Sequence, residues 1–213
     1  MAGKVKTKDR IKAAALGLFN NEGEREVSAV DIANVIGISP GNLHYHYSGK
    51  GLIIEALFAE FETEIRQVLS APVNKPLAVE DNWIFLYIVF EEIWDFRFFY
   101  GNMSSILARI PDLAAPFSRI LALKQRTFDT LLARLEGDGH LVFREGEREA
   151  LSERLAMHFT YWLQYNALRA PTASPKSIIN HGVYSALMQV TPYWGDNAQS
   201  YAALLSEFLD AQG

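Results

Sequence analysis

The residues best suited to specific hydrogen bonding in this 213-residue chain lie together between Pro40 and Tyr47. At about 100° per residue, Leu43 and Tyr47 fall on the same side of a helix as Pro40. The opposite side carries residues that are small or polar and uncharged: Gly41, Asn42, His44 and Tyr45. An asparagine amide can pair with N6 and N7 of adenine, and a glycine lets a helix approach a major groove closely. This side therefore predicts contacts with the base edges of DNA; a solvated polar face is the alternative.

Two consecutive helix signals surround this segment. Ser28 is placed as an N-cap, with Asp31 as the reciprocal acid three residues later. Gly37 suits the position after a helix end, and Ser39 followed by Pro40 suits the start of the next helix. Two helices of about two turns each, joined by a tight turn, are typical of a helix-turn-helix. The sequence therefore predicts that the second helix is a recognition helix.

Lys50 opens a long predicted helix, where a cation opposes the helix dipole. The position becomes favourable if an anion lies at the helix start, and a DNA phosphate is such an anion. Hydroxyl groups and the basic N-terminal arm offer further phosphate contacts. The residues predicted to contact phosphate are Ser28, Ser39, Tyr45, Lys50 and the lysines at positions 4, 6 and 8.

Residues 7–61 strongly resemble the DNA-binding domain of the TetR family of bacterial transcriptional regulators. The matching positions are Ile11, Ala14, Ala15, Leu18, Phe19, Gly23, Ser28, Ile32, Ala33, Gly37, Ile38, Ser39, Asn42, Leu43, Tyr45, His46 and Lys50. The family usually has Tyr at position 44, Phe at position 47 and an acid at position 51, where this chain has His44, Tyr47 and Gly51. Beyond about residue 70 only the architecture of the family is recognisable.

The resemblance implies an all-α chain with a three-helix helix-turn-helix DNA-binding domain and a helical-bundle domain for ligand binding and dimerisation. It implies a transcriptional regulator that binds a palindromic double-stranded DNA operator as a homodimer. A repressor released by a small molecule is the expected form. A transcriptional activator of the same fold is one alternative, and an all-α small-molecule-binding or assembly protein with a vestigial helix-turn-helix is another.

The composition is that of a globular protein, with 49% hydrophobic residues, 21% charged residues and no cysteine. The net charge is −5, yet residues 1–50 hold seven Lys or Arg against five Asp or Glu, so this end is mildly basic. The lack of cysteine excludes disulfides and thiolate metal sites and fits a reducing cytoplasm. No apolar run suits a membrane span or a signal peptide. We therefore expect a cytoplasmic protein that contacts DNA at one end and does not enter a membrane.

Histidine spacing and glycine patterns do not indicate an enzyme. His44 and His46 are two residues apart on a predicted helix and so diverge, which makes them poor metal ligands. The chain contains neither H-E-x-x-H nor the dinucleotide-binding pattern G-x-G-x-x-G. We therefore expect no catalysis, no metal and no cofactor.

The apolar pattern is helical from residue 50 onwards. The helix that opens at Lys50 is predicted to run to about residue 69, and its length of about 30 Å could link two domains. Further helices are predicted at residues 77–99, 102–109, 112–136, 147–169, 175–189 and 197–210, and only residues 140–143 resemble a strand. We divide the chain into a helix-turn-helix domain, residues 1–50, and an effector-binding and dimerisation domain, residues 51–213, linked by the helix 50–69.

Aromatic residues are concentrated in the second predicted domain, where most of them must form the core. Their density around residues 83–100 indicates a helix that is buried on every side or that borders a cavity. Together with the family resemblance, this predicts a pocket for a small hydrophobic or aromatic effector. The predicted lining residues are Trp83, Tyr87, Phe90, Trp94, Phe98, Asn102, His158 and Trp162.

The last two long helices carry apolar stripes that suit a homodimer interface. Small residues at positions 182, 185 and 186 allow two helices to approach closely. In the TetR family, two C-terminal helices of each subunit usually form a four-helix interface. Packing within one chain would give the same pattern, but a two-fold operator needs a two-fold reader. The predicted interface residues are Leu155, Phe159, Ile178, Gly182, Ser185 and Ala186.

Overall fold

The computed structural model describes residues 6–74 and 82–195 of the chain. Within these residues the chain forms nine α-helices and no β-strand, which confirms the predicted all-α fold. The helices are α1 Thr7–Glu22, α2 Ala29–Ile36, α3 Pro40–His46, α4 Lys50–Asn74, α5 Asn82–Asp95, α6 Arg97–Arg109, α7 Ala114–Gly137, α8 Glu147–Arg169 and α9 Pro175–Val190, with short 3₁₀ turns at Pro111–Leu113 and Thr191–Tyr193. The helix predicted at 197–210 and the first residues of the one predicted at 77–99 lie outside the described residues.

The described residues form two compact units that do not follow the order of the chain. Unit 1 contains residues 6–64 and 95–116, and unit 2 contains residues 65–74, 82–94 and 117–195. Helix α6 therefore belongs to the same unit as the helix-turn-helix, although it lies between α5 and α7 in the sequence. Helix α4 begins in unit 1 and ends in unit 2.

The helix-turn-helix begins and ends where the sequence signals indicate. Ser28 and Asp31 form a reciprocal capping box at the start of α2. Gly37 adopts the left-handed conformation (φ 67°, ψ 39°) directly after α2, where a side chain would be unfavourable. The hydroxyl of Ser39 then accepts a hydrogen bond from the N–H of Asn42 at the start of α3. These local bonds set the direction in which α3 leaves the turn.

An aromatic cluster explains why α6 packs in unit 1. Phe61 of α4 lies 5.4 Å from Phe96 and 5.8 Å from Tyr100, measured between ring centroids. Phe98 of α6 lies 5.2 Å from Phe19 of α1 by the same measure. Rings at these distances bury large apolar areas and attract one another in tilted or edge-to-face geometry. Helix α6 thus completes the core of the unit in which α1 and α4 support the helix-turn-helix.

Three predicted features differ from the structure. Helix α4 continues through Pro72 to Asn74, because a proline removes one helical hydrogen bond without always ending the helix. The break predicted between residues 99 and 102 lies at Phe96, because α5 ends at Asp95 and α6 begins at Arg97. At Asn102 the chain has only a kink inside α6 (φ −125°, ψ 17°). Residues 140–143 form a loop and not a strand.

Helix α9 approaches α8 very closely at Gly182 in unit 2. A Cβ atom at this position would lie 2.7 Å from Nε1 of Trp162 and 2.8 Å from Cζ of Phe90. The Trp162 indole donates a hydrogen bond to the carbonyl of Ile178 on α9 (2.9 Å). Phe90 of α5 stacks on Phe159 of α8 with 4.2 Å between the ring centroids. Because Gly182 has no side chain, the Trp162 and Phe90 rings can pack against its backbone and hold α5, α8 and α9 together.

Replacing Gly182 by Ala should destabilise the protein, because the new Cβ would overlap the Trp162 and Phe90 rings. We expect a loss of about 1–3 kcal/mol in the free energy of unfolding, the usual effect of overpacking a core. Urea unfolding followed by tryptophan fluorescence measures this loss. Gly137→Ala is the matched control in the same unit, because no atom lies within 4 Å of its Cβ position. Equal stability of the two variants would contradict the expected overlap.

Candidate nucleic-acid interface

Helix α3 has one buried side and one exposed side, in the orientation that its sequence predicts. Leu43 is 1% exposed, and Tyr47, directly after the helix, is 8% exposed. On the other side Asn42 and His44 are exposed, and Tyr45 is 85% exposed. A recognition helix needs both sides, because the buried side packs against the rest of the domain and fixes the helix, while the exposed side stays accessible to a partner.

Polar bonds hold the turn that precedes α3. Arg10 of α1 donates a hydrogen bond to the carbonyl of Ile36, the last residue of α2 (2.6 Å). Basic side chains stabilise the free carbonyls at a helix C-terminus in this way. A Cβ atom at Gly41 would come no closer to other parts of the chain than 4.0 Å, at the hydroxyl of Ser39, so the surface there is open. Sequence reasoning missed Arg10, because no local pattern links residues this far apart.

The two serines predicted to bind phosphate are both N-caps, and they differ in what they can still donate. The Ser28 oxygen accepts from the N–H of Asp31, and its O–H donates to the Asp31 carboxylate at 2.6 Å. This cap uses the single O–H donor of Ser28. Ser39 accepts from the N–H of Asn42 at 3.2 Å, which leaves its O–H able to donate to another group. Ser39 therefore fits a phosphate contact better than Ser28 does.

The ammonium of Lys50 is bound inside unit 1. Its Nζ lies 3.1 Å from a carboxylate oxygen of Glu24, and it donates to the backbone carbonyls of Glu24 (2.7 Å) and Val27 (2.9 Å). An ammonium has three N–H donors, and these three acceptors use all of them. The anion that the sequence predicts at the start of α4 is thus supplied by Glu24. A phosphate contact by Lys50 would have to replace one of these bonds.

Lys6 and Lys8 lie at the start of α1. Lys6 and Lys8 are exposed, and the Lys8 ammonium lies 5.6 Å from the centroid of the Tyr47 ring, within range of a cation–π contact. Lys4 lies outside the described residues. Lys6 and Lys8 keep the exposure that a phosphate contact requires.

The residues predicted to line a ligand pocket are distributed over both units. Phe98 and Asn102 belong to unit 1, where the Asn102 amide donates to the carbonyl of Phe98 (3.3 Å). Phe90 belongs to unit 2 and is fully buried against Phe159, so it is a core residue. A high density of aromatic residues predicts burial, but it does not distinguish a ring packed in the core from a ring that lines a cavity.

The other predicted pocket residues also belong to unit 2. Tyr87 and Trp94 are partly exposed, and the side chain of Trp83 is not among those that the structure describes. His158 and Trp162 border an open groove between α8 and α9 and not an enclosed cavity.

Unit 2 holds a separate apolar cavity that sequence reasoning did not find. Its volume is about 50 Å³, and its walls include Leu86, Phe128, Leu155 and Leu187 from α5, α7, α8 and α9. Sites for drug-sized ligands are typically about 300–1,000 Å³. The cavity therefore accommodates only a small apolar group, such as a short alkyl chain.

Four of the six predicted interface residues are core residues of unit 2. Leu155 is 4% exposed, Phe159 1% and Ala186 0%, and Gly182 is buried against Trp162. These four residues have almost no surface left to offer a second copy of the chain. The prediction selected the inner face of α8 and α9, because periodicity locates an apolar stripe without showing what covers it. Ile178 and Ser185 keep partial exposure.

The outer face of α8 carries a second apolar stripe. Its members recur every three or four residues and so share one face of the helix. They are Met157 (56% exposed), Tyr161 (50%), Tyr165 (55%) and Leu168 (88%). The stripe borders the α8–α9 groove, which has a volume of about 670 Å³.

The α8–α9 groove also contains two arginines and two histidines. Arg169 bonds to Nδ1 of His181 (2.9 Å), and Nε2 of His158 lies 2.9 Å from the carbonyl of Gly182. Burial lowers the pKa of both histidines below the ordinary value, so both are neutral at pH 7. The positive charge of the groove at this pH therefore comes from Arg154 and Arg169.

One sequence match to a catalytic motif lies in a context that does not fit it. Residues 37–41 have the G-x-S-x-G spacing of a hydrolase nucleophile elbow, but that elbow follows a β-strand. Here Ser39 follows a helix and caps the next one.

Within residues 6–74 and 82–195, no group of three or more His, Asp or Glu residues is placed to hold a metal. In the same residues no helix is both long and apolar enough to cross a membrane.

Known regulators resemble this chain over most of its length. A family model named TetR and described as a bacterial transcriptional repressor matches residues 60–201. The probable HTH-type transcriptional regulator YttP of Bacillus subtilis (strain 168) is 24% identical over 176 residues, which are 82% of this chain and 81% of the relative. A TetR-family transcriptional regulator from Marinobacter aquaeolei VT8 has a similar crystal structure, with a TM-score of 0.84, 28% identity and coverage of 98% of this chain and 99% of that one.

A transcriptional regulator from Saccharomonospora viridis, solved in complex with choline, shares the fold with a TM-score of 0.60 and 19% identity. The comparison covers 84% of this chain and 94% of that one. The family model begins at residue 60, where the match to the helix-turn-helix motif ends, so the two observations together span most of the sequence. Because the family model covers well over half of the chain, this protein belongs to the TetR family of bacterial transcriptional regulators.

Proposed function

We propose that this TetR-family regulator is a sequence-specific repressor that binds a palindromic operator as a homodimer and leaves it when a small molecule binds. The observation that carries the proposal is the exposed, uncharged polar face of α3 above a buried apolar back. Such a face can form the hydrogen bonds to base edges on which sequence-specific binding depends. The description of the matching family model as a repressor supports repression over activation.

Four residues on the exposed face of α3 would contact bases. Asn42 suits the N6 and N7 groups of adenine, and Gly41 lets the helix lie deep in the major groove. Tyr45 and His44 project beside them from the same face. An imidazole is shorter than the phenol that the family usually has at position 44, and it can donate or accept. We therefore expect a base preference at this position that differs from that of relatives with tyrosine.

Phosphate contacts would come from Ser39, Tyr45 and the lysines at positions 6 and 8. Ser39 has an O–H able to donate, and the other side chains are exposed. Ser28 and Lys50 are left out of this set, because their donors are used inside the protein. The charge distribution supports contact at this end, since residues 1–50 carry a net charge of +2 and the remaining residues carry −7.

The homodimer would form through the outer stripe of α8, with α9 beside it. Exposed apolar patches of this kind are typical of protein interfaces. In a two-fold dimer the same patch of each copy meets its counterpart, so an apolar stripe is complementary to itself. A palindromic operator also requires two recognition helices related by a two-fold axis. The family resemblance, in which two C-terminal helices of each subunit form the interface, supports this choice.

The effector would be a small molecule with a hydrophobic part. Its binding releases DNA only if it prefers the conformation in which the two α3 helices do not fit the operator. The apolar cavity of unit 2 supports an effector that places a short alkyl group there. The Saccharomonospora viridis regulator was solved with choline, which supports small-molecule binding by this fold. At 19% identity the choice of ligand does not carry over.

Selection of bound duplexes from a random DNA pool tests the proposed function. We expect a palindromic consensus whose two half-sites are separated by about one helical turn of DNA, or by one turn plus a simple fraction of a turn. Repetition at two salt concentrations should show affinity falling as salt rises, because phosphate contacts release counterions. No enrichment above random, even after the protein has been unfolded and refolded to remove a bound ligand, would contradict the proposal.

Replacing Tyr161 by Glu should separate the dimer, because it would place like charges opposite each other at the centre of the outer α8 stripe. We expect the dimer dissociation constant to rise at least about 30-fold, the effect of losing one interface hot spot. Sedimentation equilibrium measures the constant. Val142→Glu is the matched control, since Val142 is an exposed apolar residue (68%) in a loop of the same unit. An unchanged constant for Tyr161→Glu would exclude the α8 stripe as the interface.

A further inference from the structure

Glu24 is a charged residue with no exposed surface. It lies in the loop between α1 and α2, and its side chain is 0% exposed. One carboxylate oxygen lies 3.1 Å from Nζ of Lys50 and accepts from Nη1 of Arg109 at 3.1 Å, while the other oxygen accepts from Nη2 of Arg109. Burial alone would raise the pKa of the Glu24 carboxyl, but hydrogen bonds from Arg109 and Lys50 hold it below its usual value. Glu24 is therefore ionised at neutral pH, and its two cationic partners stabilise the buried charge.

The Glu24–Lys50 pair joins the two boundaries of the helix-turn-helix. Val27 directly precedes the N-cap of α2, and Lys50 is the first residue of α4. The Lys50 ammonium bonds to the Val27 carbonyl at 2.9 Å and to Glu24 at the same time. Helices α2 and α3 lie between these two points in the sequence. One buried cluster therefore fixes both ends of the segment that carries the recognition helix.

Arg109 connects this cluster to the C-terminal end of α6. Arg25, next to Glu24 in the loop, donates to the hydroxyl of Ser105 on α6 from Nε (2.9 Å) and Nη2 (2.7 Å). The N-terminal end of α6 is held by Asn20 of α1, whose amide donates to the carbonyl of Asp95 (2.7 Å) and accepts from the N–H of Phe98 (3.1 Å). Both ends of α6 are thus bonded to the end of α1 and the loop that follows it.

We propose that Glu24 is a positioning residue for DNA recognition, which acts by holding Val27, Lys50 and Arg109 at one point. Lys50 then contributes to operator binding through Glu24 and not through a phosphate. This inference rests on the proposed function, because it concerns how α3 is oriented on DNA. It also gives Lys50 a role different from the one its position at a helix start predicts.

Three variants of the full-length protein test the inference on the selected consensus duplex and on a scrambled duplex of equal length. They are Glu24→Gln, Lys50→Met and the double variant. Gln keeps the shape of the Glu24 side chain but removes the charge that Lys50 and Arg109 share. Arg148→Ala is the matched control, because Arg148 likewise binds two carboxylates, those of Asp129 (3.0 Å) and Glu136 (2.7 Å), but in unit 2.

We expect Glu24→Gln and Lys50→Met each to weaken consensus binding about tenfold, the effect of losing one coupled buried interaction. Their effects should not multiply, so the double variant should bind about as well as the weaker single variant. Affinity for the scrambled duplex and the dependence of affinity on salt should match the wild type, because no phosphate contact is lost. A purely structural role would lower binding to both duplexes equally. Arg148→Ala should change neither.

Two outcomes would overturn the inference while leaving the proposed function in place. One is consensus binding of wild-type strength by Glu24→Gln. The other is a Lys50→Met variant whose salt slope falls by about one unit per subunit and whose effect multiplies with that of Glu24→Gln, as a phosphate contact requires. Failure of the wild type to select any duplex would overturn both. If Glu24→Gln does not fold, Arg109→Ala and Arg109→Lys replace it, since Arg109 is 42% exposed; the inference requires weakened consensus binding by Ala and recovery by Lys.

Discussion

The recognition helix has seven residues, far fewer than the roughly 12–15 that an isolated helix needs to be stable in water. Its existence and its direction therefore depend on contacts with the rest of unit 1. Leu43 and Tyr47 bury its back, Ser39 caps its start, and Gly37 allows the turn before it. Base reading requires positional accuracy better than an ångström. A short helix can supply that accuracy only if its surroundings are rigid.

Unit 1 is built from two separate stretches of the chain. Residues 95–116 supply α6, which brings an aromatic surface to α1 and α4 and an arginine to the buried Glu24 carboxylate. The chain consequently passes between the two units at three places, in α4, before α6 and after the 3₁₀ turn that follows it. Unit 2 therefore has three covalent connections to the unit that carries the helix-turn-helix. Sequence order alone suggests only the one through α4.

Local signals in the sequence were sufficient for much of this fold. The capping box at Ser28, the left-handed Gly37 and the cap at Ser39 each depend on residues within four positions, and each is found as predicted. Helix α8 spans residues 147–169 as its periodicity predicts. The polar and apolar sides of α3 also follow directly from helical geometry.

Features that depend on distant partners could not be predicted in the same way. Glu24 and Arg109 are 85 residues apart, and nothing near either one marks it as half of a buried pair. The bonds between Lys50 and Glu24 could not be predicted either, because the two residues are 26 positions apart in the chain. Helix α8 has an apolar stripe on its inner face and another on its outer face, so periodicity could not tell which one packs inside the subunit.

Removing one acceptor atom from the DNA tests most directly whether Asn42 reads a base in the major groove. Each adenine of the selected consensus is replaced in turn by 7-deazaadenine, which has C–H in place of N7 and still pairs with thymine. We expect this replacement to weaken binding by the wild type by about 1–3 kcal/mol at one adenine in each half-site. Asn42→Ala should bind the substituted and the unsubstituted duplex equally. The same loss in the wild type and in Asn42→Ala, or no loss at any adenine, would contradict base reading by Asn42.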